Sequence, residues 1–221
     1  MSTIAFLSFT ISIICSIAIL ADVIRFPQKM GIMNVVWPVT ALYAGPLALV
    51  AYYKIGRLSA KRFNRPQKDS ISQKPYWQSI VVAALHCGSG CTLGDIVAQV
   101  VLFFFPDVLW GSKLYGEWGI DYIFAFAIGI VFQYYSIQPM KHLSVKQAII
   151  AALKADTLSL TAWQVGMYGW MAICTFLLFD HRLEASTSLF WFMMQIAMLL
   201  GFVTAYPVNW WLVKKGIKEK M

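Results

Sequence analysis

The sequence predicts an all-α protein, a polytopic transmembrane helix bundle of six spans with both termini cytoplasmic, and three observations predict it. Hydrophobic residues make up 59% of the 221, and charged residues only 13%, about half the share found in an average soluble domain. Six apolar runs reach the roughly 20 residues that a helix needs to cross a hydrocarbon core of about 30 Å. The basic residues fall between those runs, so the net charge of +8 reads as a topology signal rather than a nucleic-acid surface. A lipid bilayer is therefore the expected partner, and nucleic acid is excluded.

The spans are expected over residues 3–21, 32–53, 77–105, 119–138, 156–179 and 188–212. The first is read as a retained helix: residues 1–3 carry no Lys or Arg, the apolar run exceeds a signal h-region, and no A-x-A site follows it. The second completes a membrane hairpin, 1–56, and the basic stretch 57–75, with Pro66 and Pro75 among Ser, Gln and Lys, reads as a cytoplasmic linker. The third span is bracketed by Pro75 and Pro106 and opens a four-helix membrane core, 76–221. The last contains Pro207, which kinks a helix, and Trp210 and Trp211, which suit the interfacial belt.

Orientation follows from Lys and Arg. Fourteen of the eighteen lie in three alternating segments: seven from Lys54 to Lys74, then Lys141, Lys146 and Lys154, then Lys214, Lys215, Lys218 and Lys220. The opposite loops hold only Arg25, Lys29, Lys113 and Arg182 beside several acids. By the positive-inside rule both termini face the cytoplasm of a cell membrane, the plasma or bacterial inner membrane. A faint internal echo links Val39-Thr40-Ala41 ahead of Gly45-Pro46 with Val203-Thr204-Ala205 ahead of Pro207, as repeated hairpins in transporters would.

The chemistry concentrates in His86-Cys87-Gly88-Ser89-Gly90-Cys91-Thr92-Leu93-Gly94-Asp95. A carboxylate at bilayer depth is unfavourable by roughly 2.5–3.5 kcal/mol and marks a functional site. On a helix Cys87, Cys91 and Asp95 line one face, with His86, Gly90 and Gly94 on the adjoining one. Gly90-x-x-x-Gly94 is also a helix-packing pattern, and buried Cys is commonly inert; packing explains the glycines but not His86 and Asp95. In the fifth span Asp156, Leu160, Trp163, Gln164, Met167, Met171 and Cys174 follow three- and four-residue steps and form a stripe that can face the third. His86, Cys87, Cys91 and Met167 are the candidate metal ligands, a soft set that points to Cu(I). Asp95 and Asp156 are the candidate charge or proton relay.

The decapeptide 86–95, Lys154-Ala155-Asp156-Thr157-Leu158-Ser159-Leu160 with Gly166-Met167, and Thr204-Ala205-Tyr206-Pro207-Val208-Asn209-Trp210-Trp211 together resemble the polytopic membrane family catalogued as domain of unknown function 4396, over about residues 75–215. The resemblance implies a four-helix membrane unit and leaves the chemistry to the residues themselves.

A phosphate-binding Gly-Lys-Ser/Thr loop, a G-x-S-x-G elbow and an H-E-x-x-H pair are all absent, so ATP-driven transport by this chain alone and the familiar hydrolases are not expected. Three functions fit the pattern. One is binding or transport of a soft metal such as Cu(I). The second is membrane thiol–disulfide exchange by Cys87 and Cys91, one helical turn apart and within the Cα separation a disulfide tolerates. The third is a noncatalytic membrane subunit or assembly factor contacting a membrane or periplasmic protein.

Overall fold

The computed structural model describes residues 2–60, 75–105, 113–141, 143–181 and 183–219. The basic linker expected over 57–75 lies largely outside the described residues, as do the loop at 106–112, His142 and Arg182. These residues hold seven α-helices: α1 Ser2–Arg25, α2 Met33–Ala44, α3 Pro46–Ala51, α4 Tyr76–Phe104, α5 Lys113–Lys141, α6 Val145–Ile173 and α7 Ser188–Lys214. Among the described residues there is no β-strand, only an isolated bridge between Gln28 and Ala60. The fold is all-α. Among the described residues four segments, Thr3–Arg25, Tyr76–Phe104, Leu114–Gln138 and Ser188–Lys214, are long and apolar enough to cross a membrane.

Two of the expected spans take a different form, each for a local reason. The run expected over 32–53 is split between α2 and α3 at Gly45, whose φ of 49° and ψ of −125° suit glycine. Pro46 causes the break, because its ring disfavours helical geometry at the preceding residue. α6 begins at Val145, eleven residues ahead of the expected 156, because Ser144 and Gln147 form a capping box that starts a helix there. α6 also falls below the apolarity of a simple span. Its polar residues Asp156, Ser159 and Gln164 are buried, so they face the bundle rather than lipid.

α4 packs against α5 and α7, α6 packs against α5 and α7, and α4 touches α6 across the middle. Small residues set these approaches. A Cβ on Gly90 would lie 2.9 Å from the Cα of Gly129, and one on Gly94 would collide with Ala125. The pattern Gly90-x-x-x-Gly94 therefore meets Ala125-x-x-x-Gly129, and backbones replace side chains at the α4–α5 seam. α1 lies against α7, and α2 against α4 and α7, tied by Gln195 of α7, whose amide donates to Ser12 Oγ and to the Leu42 carbonyl, both at 3.0 Å. Ile4, Phe6, Ile14, Ile17 and Ile24 of α1 remain exposed, an apolar outer surface that suits lipid and not water.

Candidate functional site

Cys87 lies eleven residues into α4, and Asp156 eleven residues into α6. Both are thus about 16 Å from their helix starts at 1.5 Å per residue. At that shared depth the Cys87 thiol donates to Asp156 Oδ1 at 3.0 Å and lies 2.8 Å from Ser159 Oγ. Gly129 of α5 leaves the room: a Cβ there would stand 2.7 Å from Asp156 Oδ2.

The fourth member comes from beyond α7. Gly216, at a φ of 70°, turns the chain back, and the amides of Ile217 and Lys218 both donate to the Leu212 carbonyl at 3.0 and 3.2 Å, a helix-ending geometry that favours glycine. The Lys218 side chain then enters the bundle with no exposure. Its Nζ donates to Cys87 Sγ at 3.1 Å and Ser159 Oγ at 3.3 Å, and pairs with Asp156 Oδ1 at 3.6 Å. Burial opposes its charge, and the Asp156 carboxylate beside it offsets that cost.

One turn along α4 the surroundings become apolar. Cys91, Trp163 and Met167 are fully buried and share one cluster with Cys87. The Trp163 ring fills the space that Gly88 leaves open and abuts Gly201 of α7; its indole donates to Met198 Sδ at 3.5 Å. Rings of Tyr43 and Phe202 meet it edge-on, with centroids 6.0 and 6.2 Å away.

A second polar cluster lies one turn further, at the opposite end of the bundle. Asp95 is only 2% exposed, and neither of its carboxylate oxygens has a hydrogen-bond partner among the described residues. Gln99, one turn along the same face, donates to Asp121 Oδ1 of α5 at 3.3 Å, and Asp95 and Asp121 interact electrostatically. Gln99, Glu117, Asp121 and Tyr168 border a cavity of about 20 Å³, room for about one water molecule.

The expected ligand residues are thus divided. Cys87, Cys91 and Met167 are all buried members of the same large apolar core, which also takes in Ala125, Met171, Phe190 and Met198. His86 points toward α5, with Nδ1 3.2 Å from the Val82 carbonyl and Nε2 2.7 Å from Ser136 Oγ. Among the described residues no three side chains drawn from His, Cys, Asp and Glu gather as a metal-ligating group. All four cysteines are free thiols. Of the expected relay residues, Asp156 sits with Cys87, and Asp95 lies on the far side of Cys91.

Ser159, Lys218, Asp121 and Ser136 were not visible as site residues in the sequence. Ser159 lies three positions beyond Asp156, one turn along α6, a spacing that could have flagged it. Lys218 carried no such signal, since it belongs to a basic cluster of the kind that sets topology.

One family profile, described as a domain of unknown function (DUF4396), matches residues 76–218, from the first turn of α4 to the lysine that enters the bundle. No curated protein and no solved structure matches the chain.

Proposed function

We propose, for a chain that belongs to the family of domain of unknown function 4396 and whose chemistry that membership leaves open, that it carries a soft monovalent metal cation such as Cu(I) across a cell membrane. The observation that carries this reading is the succession of groups along the bundle interior. The acids Asp121 and Asp95 come first, then the sulfurs of Cys91 and Met167, then Cys87 beside Asp156. Buried carboxylates in a membrane interior attract cations or protons. Thiol and thioether sulfur retain Cu(I) in preference to hard cations.

The same succession assigns roles. Asp121 and Asp95 receive the cation at the mouth. Cys91 and Met167, with Cys87, hold it near the middle, and Asp156 balances its charge on the far side. A cavity with room for about one water molecule beside Asp121 and Glu117 is compatible with a small ion. His86 joins the ligands only by giving up Ser136. In this reading α2 with α3, and α6, complete six spans, and both termini and the 57–75 linker lie in the cytoplasm of the plasma or bacterial inner membrane. Residues 1–56 form a hairpin unit against the 76–221 core.

Metal analysis of the anaerobically purified protein, beside a Cys87→Ser/Cys91→Ser variant, tests the reading. Copper retained by the parent after exposure to Cu(I), and lost in the variant, is the expected outcome. Equal and near-zero metal in both would overturn it. A reversible two-electron thiol titration without metal would favour thiol–disulfide exchange, and stable copurification with a larger membrane complex would favour a noncatalytic subunit.

A further inference from the structure

The pocket formed by Cys87, Asp156 and Ser159 already holds a monovalent cation, namely the ammonium of Lys218. That group is fully buried and contacts one sulfur and two oxygens between 3.1 and 3.6 Å. Asp156 is the anionic partner in the pocket, and a buried carboxylate stripped of its counter-charge is strongly unfavourable. Lys218 therefore leaves readily only when another single positive charge takes its place. The segment carrying it leaves α7 through Gly216, which has open space on the side where a Cβ would project, and its geometry is set by two bonds to one carbonyl at the helix end.

We infer that Cys87, Asp156 and Ser159 form an inner site for a monovalent cation of ammonium or soft-metal type, and that Lys218 is its tethered occupant, displaced by exchange when a free cation binds. The identity of the free cation rests on the reading above; the tethered occupancy rests on the geometry alone. Exchange balances charge: one ammonium leaves as one cation enters, no electron is required, and when a soft metal binds the Cys87 sulfur the thiol proton, already directed at Asp156 Oδ1, passes to that carboxylate.

The test uses the full chain in detergent or vesicles, with N-ethylmaleimide labelling read cysteine by cysteine by mass spectrometry. Lys218→Ala removes the occupant. Gly216→Val leaves every pocket residue intact but disfavours the left-handed turn, which for a residue with a Cβ shifts the local equilibrium by roughly fivefold or more. Both variants are expected to label Cys87 at least about fivefold faster than the parent, with Cys15, Cys91 and Cys174 unchanged. Ag(I) is expected to bind Lys218→Ala more tightly than the parent and to slow labelling of Cys87. Parent-like labelling of Cys87 in both variants, or a rise at all four cysteines together, would overturn the tethered occupant whatever the metal result. Selective exposure of Cys87 with no Ag(I) held by any variant would overturn the exchange and the cation-carrying reading with it, leaving Lys218 as a fixed plug.

Discussion

Asp95 and Asp156 are both buried aspartates on helices running in the same direction, yet their surroundings are opposite. Asp156 has a cationic partner and a thiol donor, whereas the oxygens of Asp95 have no partner among the described residues. Substitution to Asn should separate them. Asp156→Asn leaves the Lys218 ammonium buried without its counter-charge and should destabilise the protein by about 3–5 kcal/mol, read as a lowered midpoint of thermal unfolding in detergent. Asp95→Asn removes a buried carboxyl group whose oxygens have no partner among the described residues, so stability should hold or rise, while cation uptake per folded molecule in vesicles falls sharply. Undiminished uptake would remove Asp95 from the pathway. Met167→Leu should preserve the fold, at a change below about 1.5 kcal/mol, but reduce retained metal, since leucine has no thioether. Parent-like metal content would exclude Met167 from the ligands.

At the scale of elements, the α4–α5 seam brings backbone against backbone beside the site. Gly94→Leu drives a side chain into the Ala125 backbone and should destabilise the protein by about 1–3 kcal/mol or more. Gly169→Ala on α6, where a Cβ meets nothing within 4 Å, should be neutral or stabilise by up to about 1 kcal/mol. Equal thermal midpoints for the two variants would show that the seam does not set stability. The legibility of the helices follows their punctuation. α4, expected over 77–105, runs Tyr76–Phe104, because Pro75 and Pro106 bracket it. The start of α6 was hidden by Lys146 and Lys154, which read as loop charges although the first of them lies within the Ser144–Gln147 capping box. Gly45-Pro46 stood in the sequence as a break within a run expected to be continuous. Within the site, the sulfur and carboxylate positions on α4 and α6 were legible from helical spacing alone. The meeting of Cys87 with Lys218 was not, because it joins residues 131 positions apart through a chain reversal that periodicity does not record.

For the whole molecule, the proposed orientation rests on the positive loops, and a labelling map of single introduced cysteines tests it. Positions 61–74 and 220 should react with an impermeant reagent from the cytoplasmic side, and positions 107–112 from the outside. An external position 220 would reverse the proposed direction of the pathway, and with it the assignment of Asp95 to the outer mouth.

The layer of Trp163, Cys91 and Met167 between the two polar clusters is fully buried, and it separates levels about 12 Å apart, from Cys87 to Asp95, at 1.5 Å per residue. An applied transmembrane voltage falls mainly across the least polarisable part of its path, so this thin partition concentrates the field. A single charge moving between the acids would then experience much of the roughly 2.3 kcal/mol that 100 mV supplies. The barrier that keeps the two ends apart would thereby also make passage between them electrogenic. Uptake into vesicles should accelerate when a potassium diffusion potential makes the interior negative, and slow when the potential is reversed.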